Sequence, residues 1–337
     1  MNITDVGHLT SDGDTGEDKL EKGAKRDGVT AWEVAKKYEA EFLDGLQQLH
    51  IDTFDVMPRA TEHIQQQIDL VKTLEKKGYT YEIPGDGIYM DTSLVEDYGK
   101  LMGPNYKKRL ENLNAGERVE MNGKKHPTDF ALWKFNMTGK KRDMERDSPW
   151  GVGFPGWHIE CSAMSSQYLG QQFDLHHGGV DHVTVHHPAE IAQSECAFEK
   201  KPWVKYWLHN EFLQVDGGKM SKSLGNCYTL ANIAEKGFSP LDLRYFYFMA
   251  QYSNQQNFTR EALEQAKKSR ENLQKKIQKS LADPLAEAGS DFSDQVVAAF
   301  LDNFNTPKVL SLIGERKLFT QSELDYLTRL EDNILKV

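Results

Sequence analysis

From Ser148 to Gly225 the chain is rich in glycine and histidine set among short apolar runs, with one helix-length segment from about Pro188 to Glu199. That mixture fits a strand-and-helix α/β region and constrains the fold more than any other stretch. The flanks read differently. Trp32, Ala35, Phe42, Leu46 and Leu49 recur at helical spacing, as do Ile64, Ile68, Val71 and Leu74, with Gly78 placed to stop the second helix. From Tyr79 the pattern alternates: "YTYEI", a Pro84-Gly85-Asp86-Gly87 turn and "IYMDT" predict a hairpin, so 79–130 reads as a small mixed insertion. Beyond about Pro240 the chain turns helical, with Thr259 as N-cap ahead of Leu263, Ala266, Leu273, Ile277 and Leu281. A linker around "ADPLAEAGSD" precedes a last helical portion.

Composition narrows the class. At 337 residues the chain can hold two or three domains, and 39% hydrophobic with 27% charged residues is ordinary for a globular protein. No apolar run approaches the roughly 20 residues of a membrane span, and the start "MNITDVGHL" carries no basic or apolar leader pattern. The expectation is a cytoplasmic protein with no membrane partner. Net charge is −10, yet basic clusters stand at Lys140-Lys141-Arg142, Lys200-Lys201, Lys267-Lys268 and Lys275-Lys276. The three cysteines, Cys161, Cys196 and Cys227, argue against a disulfide framework and leave room for a metal ligand or a reactive thiol.

Two motifs carry chemistry. Seven of the eleven histidines fall between His158 and His209, alongside two of the cysteines. In "VHHPAEIAQSECAF", His186 and Glu190 are four apart, so they share one face of a helix whose first turn holds Pro188, while His187 is expected to point elsewhere. Joined by Cys161 from another element, they make a mixed S/N/O donor set that suits zinc. The second motif, "KMSKSLGN" (219–226), follows the turn-like "VDGG" and sets Lys219 and Lys222 three apart on a loop with Ser221 and Ser223.

"SPWGVGFPGWHIECSAM" (148–164), "HHPAEIAQSE" (186–195), "KMSKSLGN", "LRYFYFMAQY" (243–252), "DNFNTP" (302–307) and the opening "NITD" together resemble the cysteinyl-tRNA synthetase family of class I aminoacyl-tRNA synthetases. The resemblance implies an α/β fold: a Rossmann-like nucleotide-binding domain, N-terminally incomplete, with a small mixed insertion and a C-terminal α-helical domain. It divides the chain into 1–78 and 131–239 as two parts of the catalytic domain, 79–130 as the connective insertion, and 240–337 as a shortened helical domain of tRNA-binding type. It implies ATP-dependent activation of cysteine and its transfer to tRNA(Cys). By position, Cys161, His186 and Glu190 match zinc ligands, and Thr4, Trp157 and Asp181 match residues around the bound cysteine, Asp181 for its ammonium and Thr4 for its carboxylate. Gly178 and Gly179, in "HHGGVD", match the segment bordering the adenosine of ATP. Lys219, Ser221 and Lys222 match the lysine loop over the phosphates, with Mg2+ expected beside them.

The pattern departs from the family in places. The family's HIGH-type motif and an upstream zinc-binding cysteine have no counterpart, since His8 lacks the HxGH spacing, so three zinc ligands stand where the family uses four. Three protein ligands still form a sensible open zinc site. A separate N-terminal chain carrying the HIGH motif is one expected partner. His177 replaces a glycine, "HHPAE" replaces "HHENE", and no basic anticodon-binding module follows "FNTP". A mycothiol-type cysteine ligase and a non-catalytic zinc-binding paralogue remain open as alternatives.

Overall fold

A computed structural model describes residues 1–6, 19–110, 123–136, 143–221, 225–286 and 291–330. His8, the basic cluster at 140–142, Lys222 and Ser223 lie outside the described residues. The chain divides into two compact units: Met1–Phe42 with Phe54–Leu208, and Leu43–Thr53 with His209–Val337.

The first unit begins with helices α1 (Lys19–Asp27), α2 (Ala31–Gln48, whose end belongs to the second unit) and α3 (Ile64–Lys76). Ala31 and Val34 of α2 pack with Ala24 and Met144, and Leu49 just beyond α2 packs in the second unit's core. Phe42, expected on the same buried stripe, is 43% exposed because it falls between these two sets of contacts. On α3 the expected residues do face inward: Ile68, Val71 and Leu74 are buried.

Helix α3 ends as its sequence predicts. The Gly78 N–H donates to Glu75 O at 2.9 Å and the Tyr79 N–H to Leu74 O at 3.1 Å, the paired bonds of a Schellman cap, with Gly78 at φ 80°. A Cβ at Gly78 would meet nothing within 4 Å, so only the backbone conformation resists substitution there. Gly78→Ala should therefore lower stability by about 1–2 kcal/mol, and Gly78→Asn by less. Urea melts of the two variants check the order.

Strands β1 (Thr80–Ile83) and β2 (Gly87–Met90) form the expected hairpin, pairing Thr80 with Met90 and Ile83 with Gly87. Strands β3 (Phe130–Phe135) and β4 (Gly153–Pro155) extend it into one four-stranded antiparallel sheet, β1-β2-β3-β4. Helices α3, α4 (Trp157–Leu169) and α5 (His186–Phe198) share a core with this sheet, including Leu74, Met90, Leu132, Trp133, Ile159 and Ala189. A separate pair, β5 (Phe173–Gly179) and β6 (Val204–Asn210), brackets α5 in sequence, a β-α-β order. Ile3 forms one parallel bridge to Arg59. Among the described residues the expected Rossmann-like part is represented by β5, α5, β6 and the Ile3 bridge, while the largest sheet is the antiparallel one.

In the second unit, β7 (Leu213–Val215) lies between β8 (Gly218–Lys219) and β9 (Gln256–Phe258), antiparallel to the first and parallel to the second. Helices α6 (Leu230–Glu235), α7 (Pro240–Phe248), α8 (Arg260–Ala282), α9 (Phe292–Leu301), α10 (Thr306–Glu315) and α11 (Gln321–Leu330) complete it. Their shared core includes Phe238, Leu243, Phe246, Leu263, Phe292 and Ile313. Thr259 caps α8 as predicted, its Oγ1 accepting from the Ala262 N–H at 3.1 Å. Leu281, expected inside, is 57% exposed. Ser280 holds the inward position instead: its hydroxyl accepts from the Phe319 N–H at 3.0 Å and donates to Lys276 O at 2.9 Å. No helix among the described residues is long and apolar enough to cross a membrane.

Candidate functional site

The first turn of α5 and the middle of α4 bring three expected donors together. Ligand atoms of Cys161, His186 and Glu190 all lie within 4.8 Å of one another. Helix α5 starts at His186, two residues before the expected Pro188, so His186 and Glu190 are one turn apart on a regular helix. The His186 Nε2 stands 3.1 Å from Glu190 Oε1. On its other side the ring is fixed, since Nδ1 shares a 2.8 Å hydrogen bond with Nδ1 of His158 on α4. A partner on the second nitrogen is what sets the ring direction of a metal-binding histidine.

His187 corrects the expectation that it points away. It is buried, its Nε2 is 4.0 Å from Glu190 Oε1, and with His176 and Glu190 it forms a second group whose donor atoms lie within 4.8 Å. His176, on β5, sits 3.0 Å from the other carboxylate oxygen, Oε2. Glu190 is therefore the centre of the cluster, with imidazoles on both sides.

The electrostatics follow from that placement. Burial pushes the Glu190 carboxyl up, but His176 and then His186 outweigh it and hold the group below the usual carboxylate range. Burial, followed by the Glu190 charge, pushes the Cys161 thiol well above its ordinary value. Among protein groups alone, thiolate and carboxylate thus compete. A divalent cation reverses this, because its charge favours both anions at once.

The donor set fits such an ion. Glu190 is wholly buried, and neither of its oxygens makes a hydrogen bond of ordinary geometry, although imidazole nitrogens stand about as close as hydrogen-bond partners do. Thiolate, imidazole and carboxylate so gathered match the ligands of zinc, which binds them at about 2.0–2.3 Å.

The other expected residues have distinct settings. Trp157 opens α4, its ring centroid 4.7 Å from that of His186 and 6.2 Å from that of His182. Thr4 is exposed between two anchors. Ile3 N donates to Pro58 O at 2.9 Å, and buried Asp5 accepts from the Thr61 N–H at 2.9 Å. Its neighbour Asn2 lies close enough to Cys161 for its side chain to favour the thiolate against burial, which places the opening segment beside the cluster. Gly178 and Gly179 end β5, and a Cβ at Gly178 would come within 2.7 Å of the His187 ring and 2.8 Å of His182 Nδ1. Only glycine fits there, because ring atoms occupy the space. Asp181 is exposed on the short 3-10 turn Val180–Val183.

Lys219 and Ser221 lie in the second unit. Strands β7 and β8 meet through Asp216-Gly217, both at positive φ, as a two-residue hairpin turn requires. The turn leaves Lys219 exposed at the end of β8. Asn226 closes the loop behind it: its Oδ1 accepts from the Ser221 N–H at 2.7 Å and its Nδ2 donates to Lys219 O at 3.0 Å. Sequence reasoning singled out neither Asn226, nor Asn2, His158 and His176. For His158 a signal existed, its spacing of three from Cys161 on one helix.

Comparison with known proteins identifies the family. The family described as "tRNA synthetases class I (C) catalytic domain" matches residues 2–268. The chain belongs to the cysteinyl-tRNA synthetase family of class I synthetases. A cysteine–tRNA ligase of Treponema denticola is 43% identical over 335 residues, covering 99% of this chain and 66% of the relative. For cysteine–tRNA ligase 1 of Burkholderia lata the identity is 44%, over 94% of this chain and 66% of the relative. The chain thus spans just under two thirds of the length of these family members. Among solved structures, a Mycobacterium tuberculosis methionyl-tRNA synthetase in complex with methionyl-adenylate aligns with a TM-score of 0.61 at 15% identity, over 88% of this chain and 70% of that one. At that identity the likeness concerns the class I fold alone.

Proposed function

We propose that this chain carries the catalytic domain of a cysteine–tRNA ligase, which activates cysteine with ATP to cysteinyl adenylate and transfers it to tRNA(Cys). The observation that carries the reading is the convergence of Cys161 and His186 on the buried carboxylate of Glu190 in a member of this family. When bound by these three residues, zinc supplies a coordination position that a cysteine thiolate fills and a serine hydroxyl fills far more weakly.

The protein's own groups do the rest. Asp181 receives the substrate ammonium, Thr4 its carboxylate, and Trp157 walls the side chain. That carboxylate attacks the α-phosphorus of ATP; the new acyl–phosphate bond forms as the bond to pyrophosphate breaks. Gly178 and Gly179 border the adenosine, while Lys219 and Lys222, with Ser221 and Mg2+, stabilise the charge that builds on the leaving pyrophosphate. The terminal ribose hydroxyl of tRNA then attacks the adenylate carbonyl and AMP leaves. A HIGH-type motif, which these residues do not contain, would complete the ATP side, whether it stands on this same protein or on a separate N-terminal chain.

Cysteine-dependent ATP–pyrophosphate exchange, with zinc determined on the same sample, tests the reading on the chain alone and with a HIGH-bearing partner added. Exchange with cysteine but not serine, lost on chelation, is the expected result, with tRNA rather than an amino sugar accepting the cysteine. A zinc-loaded chain that makes no adenylate under either condition would overturn it.

A further inference from the structure

Glu190 stands between two sets of donors, and the proposed zinc site uses only one of them. Its Oε1 faces His186 Nε2 at 3.1 Å, while Oε2 faces His176 Nε2 at 3.0 Å. Ligand atoms of His176, His187 and Glu190 lie within 4.8 Å of one another, a group distinct from Cys161 and His186 except for the shared carboxylate. Several elements hold it. Strand β5 delivers His176, and Gly178 lets that strand run against α5, since a Cβ there would stand 2.7 Å from Nε2 of His187. Tryptophan rings pack around the pair: the His176 centroid is 5.1 Å from Trp207 and 5.7 Å from Trp203, and the His187 centroid is 4.8 Å from Trp207. Glu190 and His187 are buried, and His176, with its side chain 16% exposed, is the member nearest solvent.

Two imidazoles and a carboxylate in an aromatic surround are a nitrogen-rich ligand set for a borderline divalent ion such as zinc, cobalt or nickel. A simple ion pair between His176 and Glu190 accounts for less. Neither Glu190 oxygen makes a hydrogen bond of ordinary geometry, and such a pair does not explain why His187 joins them. Ligands about 2.0–2.1 Å from a tetrahedral ion stand roughly 3.3 Å apart. The observed separations, 3.0 Å from His176 to Oε2 and up to 4.8 Å within the group, therefore close around an ion by side-chain adjustment alone. We propose that His176, His187 and Glu190 form a second divalent-metal position, with Glu190 bridging it through its two oxygens to the ion held by Cys161 and His186. A two-metal site of this kind holds its ions about 3.5–4 Å apart. The second position adds only neutral imidazoles to a shared charge, so repulsion from the first ion makes it the weaker of the two. Neither cysteine nor tRNA takes part, so a loss of cysteine-dependent exchange leaves this inference standing.

Cobalt(II) is the probe for the test, because an ion bound by a thiolate shows a strong near-ultraviolet charge-transfer band, whereas nitrogen and oxygen ligands give only weak visible bands. The full chain, stripped with a chelator, is titrated with Co2+ while native mass spectrometry counts the ions. Two should bind: the first with the charge-transfer band, the second without adding to it and at least about tenfold more weakly. The variant His176→Gln/His187→Gln should lose the second ion and keep the first with its band. Cys161→Ala should lose the band and still hold an ion. His177→Gln, at an exposed position on the alternate face of the same strand, should keep both ions. If circular dichroism shows the double variant unfolded, His176→Gln alone makes the same comparison, with the second ion weakened about tenfold or more and the first unchanged. A parent that takes a single ion at saturating Co2+ would overturn the inference, as would a double variant that keeps two. Loss of the charge-transfer band in the double variant would overturn it as well, since both groups would then serve one ion.

Discussion

A Glu190→Gln variant should hold zinc at least about tenfold more weakly than the parent and lose cysteine-dependent exchange with it. Glu190 is the one residue shared by both groups of converging donors, with His186 on Oε1 and His176 on Oε2. Replacing an outer partner of a metal ligand typically costs 10–100-fold in affinity, and replacing a ligand removes a bond as well as a charge. The amide is nearly isosteric, so the loss comes from chemistry and not from repacking. Cys161→Ala should reach the same end by another route, because the thiolate is the softest donor in the set. Zinc content by mass spectrometry and the zinc-dependent rise in melting temperature are the readouts. Both should be clear in the parent and reduced in the two variants at matched free zinc. Undiminished zinc in both variants would remove the ligand set from the proposal.

How far the sequence already contained this site depended on the range of the interaction. The Gly78 cap, the Thr259 cap and the His186–Glu190 pair are legible because each is settled within four residues by helix geometry. The role of Ser280 is not: it takes the inward place that periodicity gave to Leu281, and its partner Phe319 is 39 residues away. His176 comes from β5 and His158 from α4, and spacing alone cannot tell that both turn toward α5. His187 failed for a different reason. One residue's rotation carries its Cβ to another face, but a long imidazole at the helix start still reaches the carboxylate one turn on. Cys161 joins the pair through donor chemistry and the family resemblance and not through spacing, because a lone cysteine twenty-five positions upstream of His186 carries no metal spacing of its own.

The largest stability effect is expected at Asp242, far from any of these donors in sequence. Its side chain is 1% exposed and does two jobs. Oδ2 accepts from the Ser239 N–H at 2.8 Å while Ser239 Oγ accepts from the Asp242 N–H at 3.2 Å, a capping box at the start of α7. Oδ1 accepts from Arg270 Nε on α8 at 2.8 Å, with the Arg270 side chain only 13% exposed. Asp242→Ala strips the cap and leaves a guanidinium buried without its counter-charge, so it should cost about 3–5 kcal/mol, a fall in melting temperature of roughly 10 °C. Ser239→Ala removes only one side of the cap and should cost about 1 kcal/mol. Because most of the larger penalty is the orphaned charge, the double variant Asp242→Ala/Arg270→Met should lose less than the sum of its two single variants, by about 1–3 kcal/mol. Strict additivity across that cycle would mean the two side chains contribute independently, and the link between α7 and α8 would then rest on apolar packing between helices that share Leu243, Phe246 and Leu263 in one core.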